Sequence, residues 1–333
     1  MQVAVHDLMI REKGQSNQDV FNNTKKLVKT LDELRYDRYW FAEHHGFENL
    51  LSVAPEIVAS YFLAETKNIT IGTGGTMIMH YSPLKVAETF KTLAELAPGR
   101  VDLGIGRAPG TGMPEIRALN TKFGSKDPYL YPEIETILAY LSDENPRDPI
   151  YRNVKAVPTK NENLANPWML GSTGVSAERA AEYGLPYSFA KFFAVPTSAQ
   201  IFKDYRQNFK PSVFADKPFV SVSYKMLISD DKDELEYLGK SFDYFHIQQA
   251  KNETSSLVDP EEIKDYEFTD RELGLLNKSY ENQFIIKGSK EEVAEILNDE
   301  IKEYGIDEIM CFTPIYGVDN RINTYKALKE IFD

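Results

Sequence analysis

Apolar stretches of strand length alternate with amphipathic stretches of helix length along nearly the whole chain. That alternation restricts the fold more than any single motif. Strands are predicted at VAVHDLM (3–9), RYWFAE (38–43), NITIGTGGTMI (68–78), RVDLGIGR (100–107), NPWMLGS (166–172), LPYSFA (185–190), PFVSVSYKMLI (218–228) and IDEIMCFTP (306–314). Between them the spacing predicts helices. In 17–34, Val20, Phe21, Leu27, Val28, Leu31 and Leu34 recur on one helical face. Further helices are expected over 55–66, with Pro55 in the first turn, over 82–99, stopped by Pro98-Gly99, and over 128–142, 176–184 and 197–209. An acidic helix follows the seventh strand, Ser289 and Glu292 form a capping box for another, and 320–333 is the last. Eight strands each followed by a helix predict a (β/α)8 TIM barrel rather than an open doubly wound sheet. The 333 residues then read as one domain with two insertions. The first, 143–166, is rich in Pro and Asn; the second, 251–283, is charged and polar and reads as a lid or loop.

The formal charge of -13 argues against nucleic acid and anionic membrane surfaces, both of which need clustered Lys and Arg. A single cysteine, Cys311, excludes an intrachain disulfide and a Cys-rich metal site. With no basic leader and no apolar run of bilayer length, the expectation is a soluble, cytoplasmic protein.

In a parallel barrel, chemistry sits where strands run out into the following loops. Four consecutive strands end in polar or backbone-permissive residues: Glu43-His44-His45, Gly74-Gly75 with His80 beyond, Gly104-Ile105-Gly106-Arg107, and Gly171-Ser172-Thr173-Gly174 followed by Ser176. The last group opens a helix, where free N–H groups and hydroxyls can hold an anion such as a phosphate. Arg107 is available from the neighbouring strand to pair with it. Ser176 could equally be a plain helix cap. The glycines of GTGG suit either a barrel corner or a flat ligand lying against main chain. For Glu43-His44-His45, a metal is disfavoured, because adjacent residues on a strand point apart and no H-E-x-x-H spacing is present. A serine hydrolase is disfavoured because GSTGVS is not G-x-S-x-G. One histidine is expected to be satisfied by backbone, with Glu43 buried and paired, leaving the other as an acid or base.

RYWFAEHH, IGTGGTMIMHYSPLKVAETFKTLAELAPGRVDLGIGRAPG, PWMLGSTGVSAERAAEYGLPYSFA and IKGSKEEV, in this order and spacing, resemble the luciferase-like flavin-dependent monooxygenases over nearly the whole chain. The resemblance implies a TIM barrel that binds reduced FMN or, in some branches, the deazaflavin F420. It implies that His44 is the catalytic histidine, with Glu43 fixing its tautomer. Gly74-Gly75 falls where the family often has a non-proline cis peptide under the flavin ring. Arg107 matches an arginine near the flavin phosphate, and Ser172, Thr173, Gly174 and Ser176 match a phosphate cradle. The sequence departs from the luciferase subunit in having Gly106 where that protein has a cysteine, and in carrying Lys191 after the sixth strand.

No G-x-G-x-x-G opens a helix after a strand, so no nicotinamide site is expected. A separate flavin reductase would then supply reduced FMN, with O2 and a small apolar organic molecule as co-substrates and no metal. Met77, Met79, Phe192 and Phe193 could line an apolar wall or pack in the core. An F420-dependent oxidoreductase and a non-catalytic flavin-binding protein are the alternatives. Relatives commonly pair as homodimers, and the helices at 55–66 and 82–99 are the interface candidates.

Overall fold

The computed structural model describes residues 1–120, 130–160, 162–193, 197–251 and 256–333. Parts of three predicted segments therefore lie outside the described residues: 128–129 of the helix at 128–142, residue 161 of the first insertion and 252–255 of the second.

The strands are β1 (Gln2–Asp7), β2 (Arg38–Phe41), β3 (Thr70–Met77), β4 (Val101–Gly106), β5 (Asn166–Gly171), β6 (Tyr187–Ala190), β7 (Val220–Ile228), β8 (Ile285–Gly288) and β9 (Glu308–Phe312). The helices are α1 (Asn17–Glu33), α2 (Pro55–Glu65), α3 (Pro83–Leu96), α4 (Met113–Leu119), α5 (Tyr131–Leu141), α6 (Gly174–Tyr183), α7 (Ala199–Asn208), α8 (Lys232–Ala250), α9 (Asp270–Glu281), α10 (Lys290–Tyr304) and α11 (Val318–Phe332). Strands β1 to β7 pair in sequence order, all parallel, and β9 closes the ring between β7 and β1. This is the expected TIM barrel, with β9 as the predicted eighth strand. β8 was not anticipated. It pairs only with the end of β7, where Lys225–Ile228 runs beyond the barrel wall.

Alternation along each strand builds two apolar layers. Val3 and Val5, Tyr39 and Phe41, and Leu103 and Ile105 point outward into one continuous core with the helices. Ala4, Trp40, Trp168 and Met310 point inward and, with Leu170 and Phe219, fill the barrel. Below them Arg38 is held between the buried carboxylates of Asp102 and Glu308, and its guanidinium lies 4.4 Å from the Trp168 ring. Asp32, at the end of α1, accepts hydrogen bonds from the N–H groups of Lys67, Asn68 and Ile69 (2.8–3.0 Å), which fixes the entry into β3.

The second insertion is not simply a loop. Thr269 and Glu272 form a capping box that opens α9, and Leu276 and Tyr280 pack against Leu238 and Phe242 of α8. A polar chain also joins β7 to this pair: Lys225 Nζ donates to Gln249 Oε1 (2.7 Å) and lies 3.3 Å from His246 Nδ1, while His246 Nε2 is 2.9 Å from Ser279 Oγ. In the first insertion the described residues form turns and bends up to the start of β5.

Candidate active site

The glycine pair forms the floor of the rim. The Gly74–Gly75 peptide is cis. A Cβ on Gly75 would lie 2.5 Å from Leu170 Cδ1 and 2.6 Å from the Gly104 carbonyl oxygen, and one on Gly74 would lie 2.9 Å from Trp40 Cβ. Only glycine leaves room here, and the β3–β4 register shifts at the same point. The Gly74 carbonyl oxygen is 2.5 Å from His6 Nε2. His6 was not anticipated, since a lone histidine inside VAVHDLM carries no local signal beyond its strand. It is buried, stacks on Phe192 (5.5 Å, 21°), meets the edge of Phe312 (6.2 Å), and its Nδ1 has no partner among the described residues.

The expected Glu43–His44 couple is not what forms. Glu43 is fully buried and accepts from the Met77 N–H (2.8 Å) and the Tyr81 hydroxyl (2.7 Å), and its histidine partner is His45, at 2.9 Å. The reason is extended backbone: alternate residues share a side, so Glu43 meets His45 and not its immediate neighbour. His80 stands perpendicular to His45 (5.8 Å) and is 2.7 Å from the Pro109 carbonyl oxygen through Nε2. Glu43, His45 and His80 thus brace the ends of β2 and β3 against the loop after β4. His44 is left over, as one of the two histidines was expected to be. Its Nδ1 is buried without a partner among the described residues, and its ring lies 6.3 Å from Phe47. Burial, reinforced by His6 and His45 nearby, pushes its pKa down to about 4. His44 is therefore a neutral imidazole at physiological pH.

The other side of the rim carries the anion-type groups. Arg107 follows β4 directly. One of its Nη atoms donates to the Tyr131 hydroxyl (3.2 Å), while its Nε is buried with no partner among the described residues. Arg179, from α6, lies 4.6 Å from the same Tyr131 ring. Helix α6 starts at Gly174 with Thr173 as its cap residue, so Ser176 is the third helical residue and the plain-cap reading fails. The Ser176 hydroxyl is buried, donates to the Thr173 carbonyl oxygen (2.8 Å) and touches the Tyr187 hydroxyl (3.1 Å). Ser172 is half-buried, and Thr173 and Gly174 are exposed. The first-turn N–H groups of α6 have no intrahelical acceptors, and the helix begins directly after β5. Lys191 turns away from it: its ammonium pairs with Glu300 of α10 between the rings of Tyr224 and Tyr304. Among the described residues, no cluster of His, Cys, Asp or Glu is arranged to hold a metal.

These placements can be set beside known proteins. The family model for luciferase-like monooxygenases matches residues 3–308. A luciferase-like monooxygenase of Escherichia coli strain K12 is 30% identical over 98% of this chain and 95% of its own. An N-acetyl-S-alkylcysteine monooxygenase of Bacillus subtilis is 28% identical over 99% and 98%. The crystal structure of apo-MsnO8 superposes with a TM-score of 0.88 at 29% identity, covering 99% of this chain and 97% of that one. Two more distant structures share the fold alone. One is an F420-dependent secondary alcohol dehydrogenase with an F420–acetone adduct (TM-score 0.68, 16% identity, 99% and 98% covered). The other is the oxygenating constituent of 3,6-diketocamphane monooxygenase of Pseudomonas putida in complex with FMN (TM-score 0.66, 15%, 99% and 97%). A closed parallel barrel, matched by the family model over almost its full length, defines the class: this chain belongs to the luciferase-like monooxygenase family.

Proposed function

We propose that the protein is an FMN-dependent monooxygenase that receives reduced FMN from a separate reductase and oxidises a small, largely apolar organic molecule with O2. The observation that carries this reading is the pairing of an unspent cation with a flat floor. Arg107 presents a buried Nε, unpartnered among the described residues, at the end of the strand next to the one that opens α6, and the half-buried Gly74 main chain lies one strand away. A phosphate fits the first and an isoalloxazine ring the second.

Arg107 and the N–H groups of Thr173, Gly174 and Val175 would hold the phosphate, with Ser172 at its edge. Ser176 supports the turn from beneath. Gly74 and Gly75 would carry the ring, with the Gly74 carbonyl pinned by His6. Bound reduced FMN supplies the electrons that activate O2. The chain's part is to keep the ring dry and to move a proton. Phe192, Phe312 and Phe47 exclude water around His6 and His44. His44, neutral and desolvated, takes or returns a proton at a ring nitrogen without first losing one to bulk water. Glu43 acts on this chemistry through position: it locks His45 and the end of β3.

FMN is favoured over F420 because F420's longer acidic tail would meet a chain of net charge -13. The protein is further read as a homodimer, since Val53, Ile57 and Tyr61 leave an apolar stripe on and before α2 that is 45–67% exposed. Equilibrium titration with FMN, reduced FMN and F420, followed by O2 uptake with a supplied reductase, tests the assignment. Tight reduced-FMN binding with substrate-dependent uptake is expected. Preference for F420, or binding without any turnover, would overturn it.

A further inference from the structure

On the β1–β2 side of the rim, away from Arg107, a cavity of about 400 Å³ is lined by Arg11, Gly46, Phe47, Glu48, Asn49 and Ser256. The size suits a small organic ligand. Arg11 is anchored at its main chain, donating its N–H to the Asn49 carbonyl (2.8 Å) and accepting from the Leu257 N–H (3.1 Å). Its guanidinium is underused. One Nη donates to Asn17 Oδ1 (2.5 Å), and Nε is buried with no partner among the described residues.

Neither neighbouring acid neutralises it. Glu12 is taken up by the Gln15 side chain (2.6 Å) and the Gly317 N–H (2.9 Å). Glu48 lies on the same cavity wall but is exposed, and neither it nor Arg11 forms an ion pair among the described residues. A guanidinium with donors to spare selects a planar anion such as a carboxylate. Glu48 in the same cavity disfavours a second negative charge on the ligand.

The cavity is separated from the proposed reaction site by packed apolar side chains. Phe47 lines it and lies 6.3 Å from His44. Phe47 also packs on the cluster of Leu8, Ile10, Leu50, Phe245 and Phe312. Phe312 in turn meets His6, which holds the Gly74 carbonyl. The geometry points to a substrate that is a monocarboxylic acid with an apolar tail: the acid end binds Arg11, and the tail runs past Phe47 and Phe312 to the floor at Gly74.

This deepens the reading of the rim as an oxidising site, but it is tested without flavin. Calorimetric titrations of the flavin-free chain would use octanoate, 4-phenylbutyrate and indole-3-acetate, each against its methyl ester, with octanedioate as the dianion. At least one acid is expected to saturate below about 10 mM, with its ester and octanedioate at least about tenfold weaker. Arg11→Met should bring the acid down to the ester's affinity. Arg11→Gln, which retains a donor for Asn17, should do the same if the methionine variant fails to fold. FMN affinity should be unchanged in both. No saturation by any of the three acids, equal binding of acid and ester, or full acid affinity in both Arg11 variants would overturn the inference. Loss of the FMN assignment alone would leave these flavin-free results standing.

Discussion

Lys225 offers a prediction whose size can be worked from its surroundings. It is 4% exposed on β7 and meets Gln249 and His246 but forms no ion pair among the described residues. Burial pushes its pKa from 10.5 down to about 7. At 1.36 kcal/mol for each pH unit, that difference costs the fold roughly 4–5 kcal/mol when the amine is charged in both states. The sign follows from which state binds the proton first. Above pH ~10.5 the amine is neutral folded and unfolded, so there is no penalty. As pH falls the unfolded chain takes the proton first, and stability is lost until about pH 7, where the folded amine titrates too. Lys225→Met removes the charge but strands the Gln249 carbonyl oxygen, at about 1–3 kcal/mol. The variant should therefore be more stable than the parent by about 1–4 kcal/mol at pH 7, and less stable by about 1–3 kcal/mol near pH 10.5. His246, held down to about 3 by burial and by Lys225, stays neutral throughout this window and does not blur the comparison. Urea unfolding of both proteins at pH 7, 8, 9 and 10 gives the difference directly, because every other titration is common to both. A difference that stays flat across that range would refute the reasoning.

Other outcomes follow from the rim. Arg107→Ala should weaken FMN binding about 10- to 100-fold with the circular dichroism spectrum retained, the worth of charged hydrogen bonds to a phosphate. Ser176→Ala should change FMN affinity less than about twofold but lower stability by ~1 kcal/mol, because its hydroxyl serves Thr173 and Tyr187. For His44→Ala, near-normal flavin binding with product formation uncoupled from O2 uptake is expected. With the His44 pKa near 4, no activity inflection near pH 6.5 should vanish in that variant, and one that did would contradict its neutral state. Gly75→Ala must push into Leu170 and the Gly104 carbonyl, so a loss of about 1–3 kcal/mol and of FMN binding is expected in melting and fluorescence titrations. Ile57→Asp should shift the protein to half its native mass by light scattering if α2 pairs two copies.

The barrel was legible because its eight strands carry β-branched and aromatic runs and its helices carry a clear apolar face, as in α1 and α3. What was missed has a physical reason in each case. Helix α9 lies in a polar stretch whose apolar side is carried by a few residues such as Leu276, and the signal that could have found it was the Thr269/Glu272 capping box. The segment IIKG is too short, and too far from its ring neighbours, for periodicity to reveal β8. Within the site, the sequence named the strand ends but not which side chains meet there. The choice of His45 as Glu43's partner follows from the alternation of an extended chain. His6 emerges only when β1 and β3 are placed on either side of β2, which brings it to Gly74, 68 residues away.

The far end of the barrel has a bearing on traffic. Arg38, clasped by Asp102 and Glu308 and overlaid on Trp168, fills the barrel beneath Trp40, and a hollow of about 440 Å³ lies outside it. With that end filled among the described residues, the reactants of the proposed reaction are left the rim as their way in and out. Turnover then becomes a queue, in which whatever enters last can trap what came before.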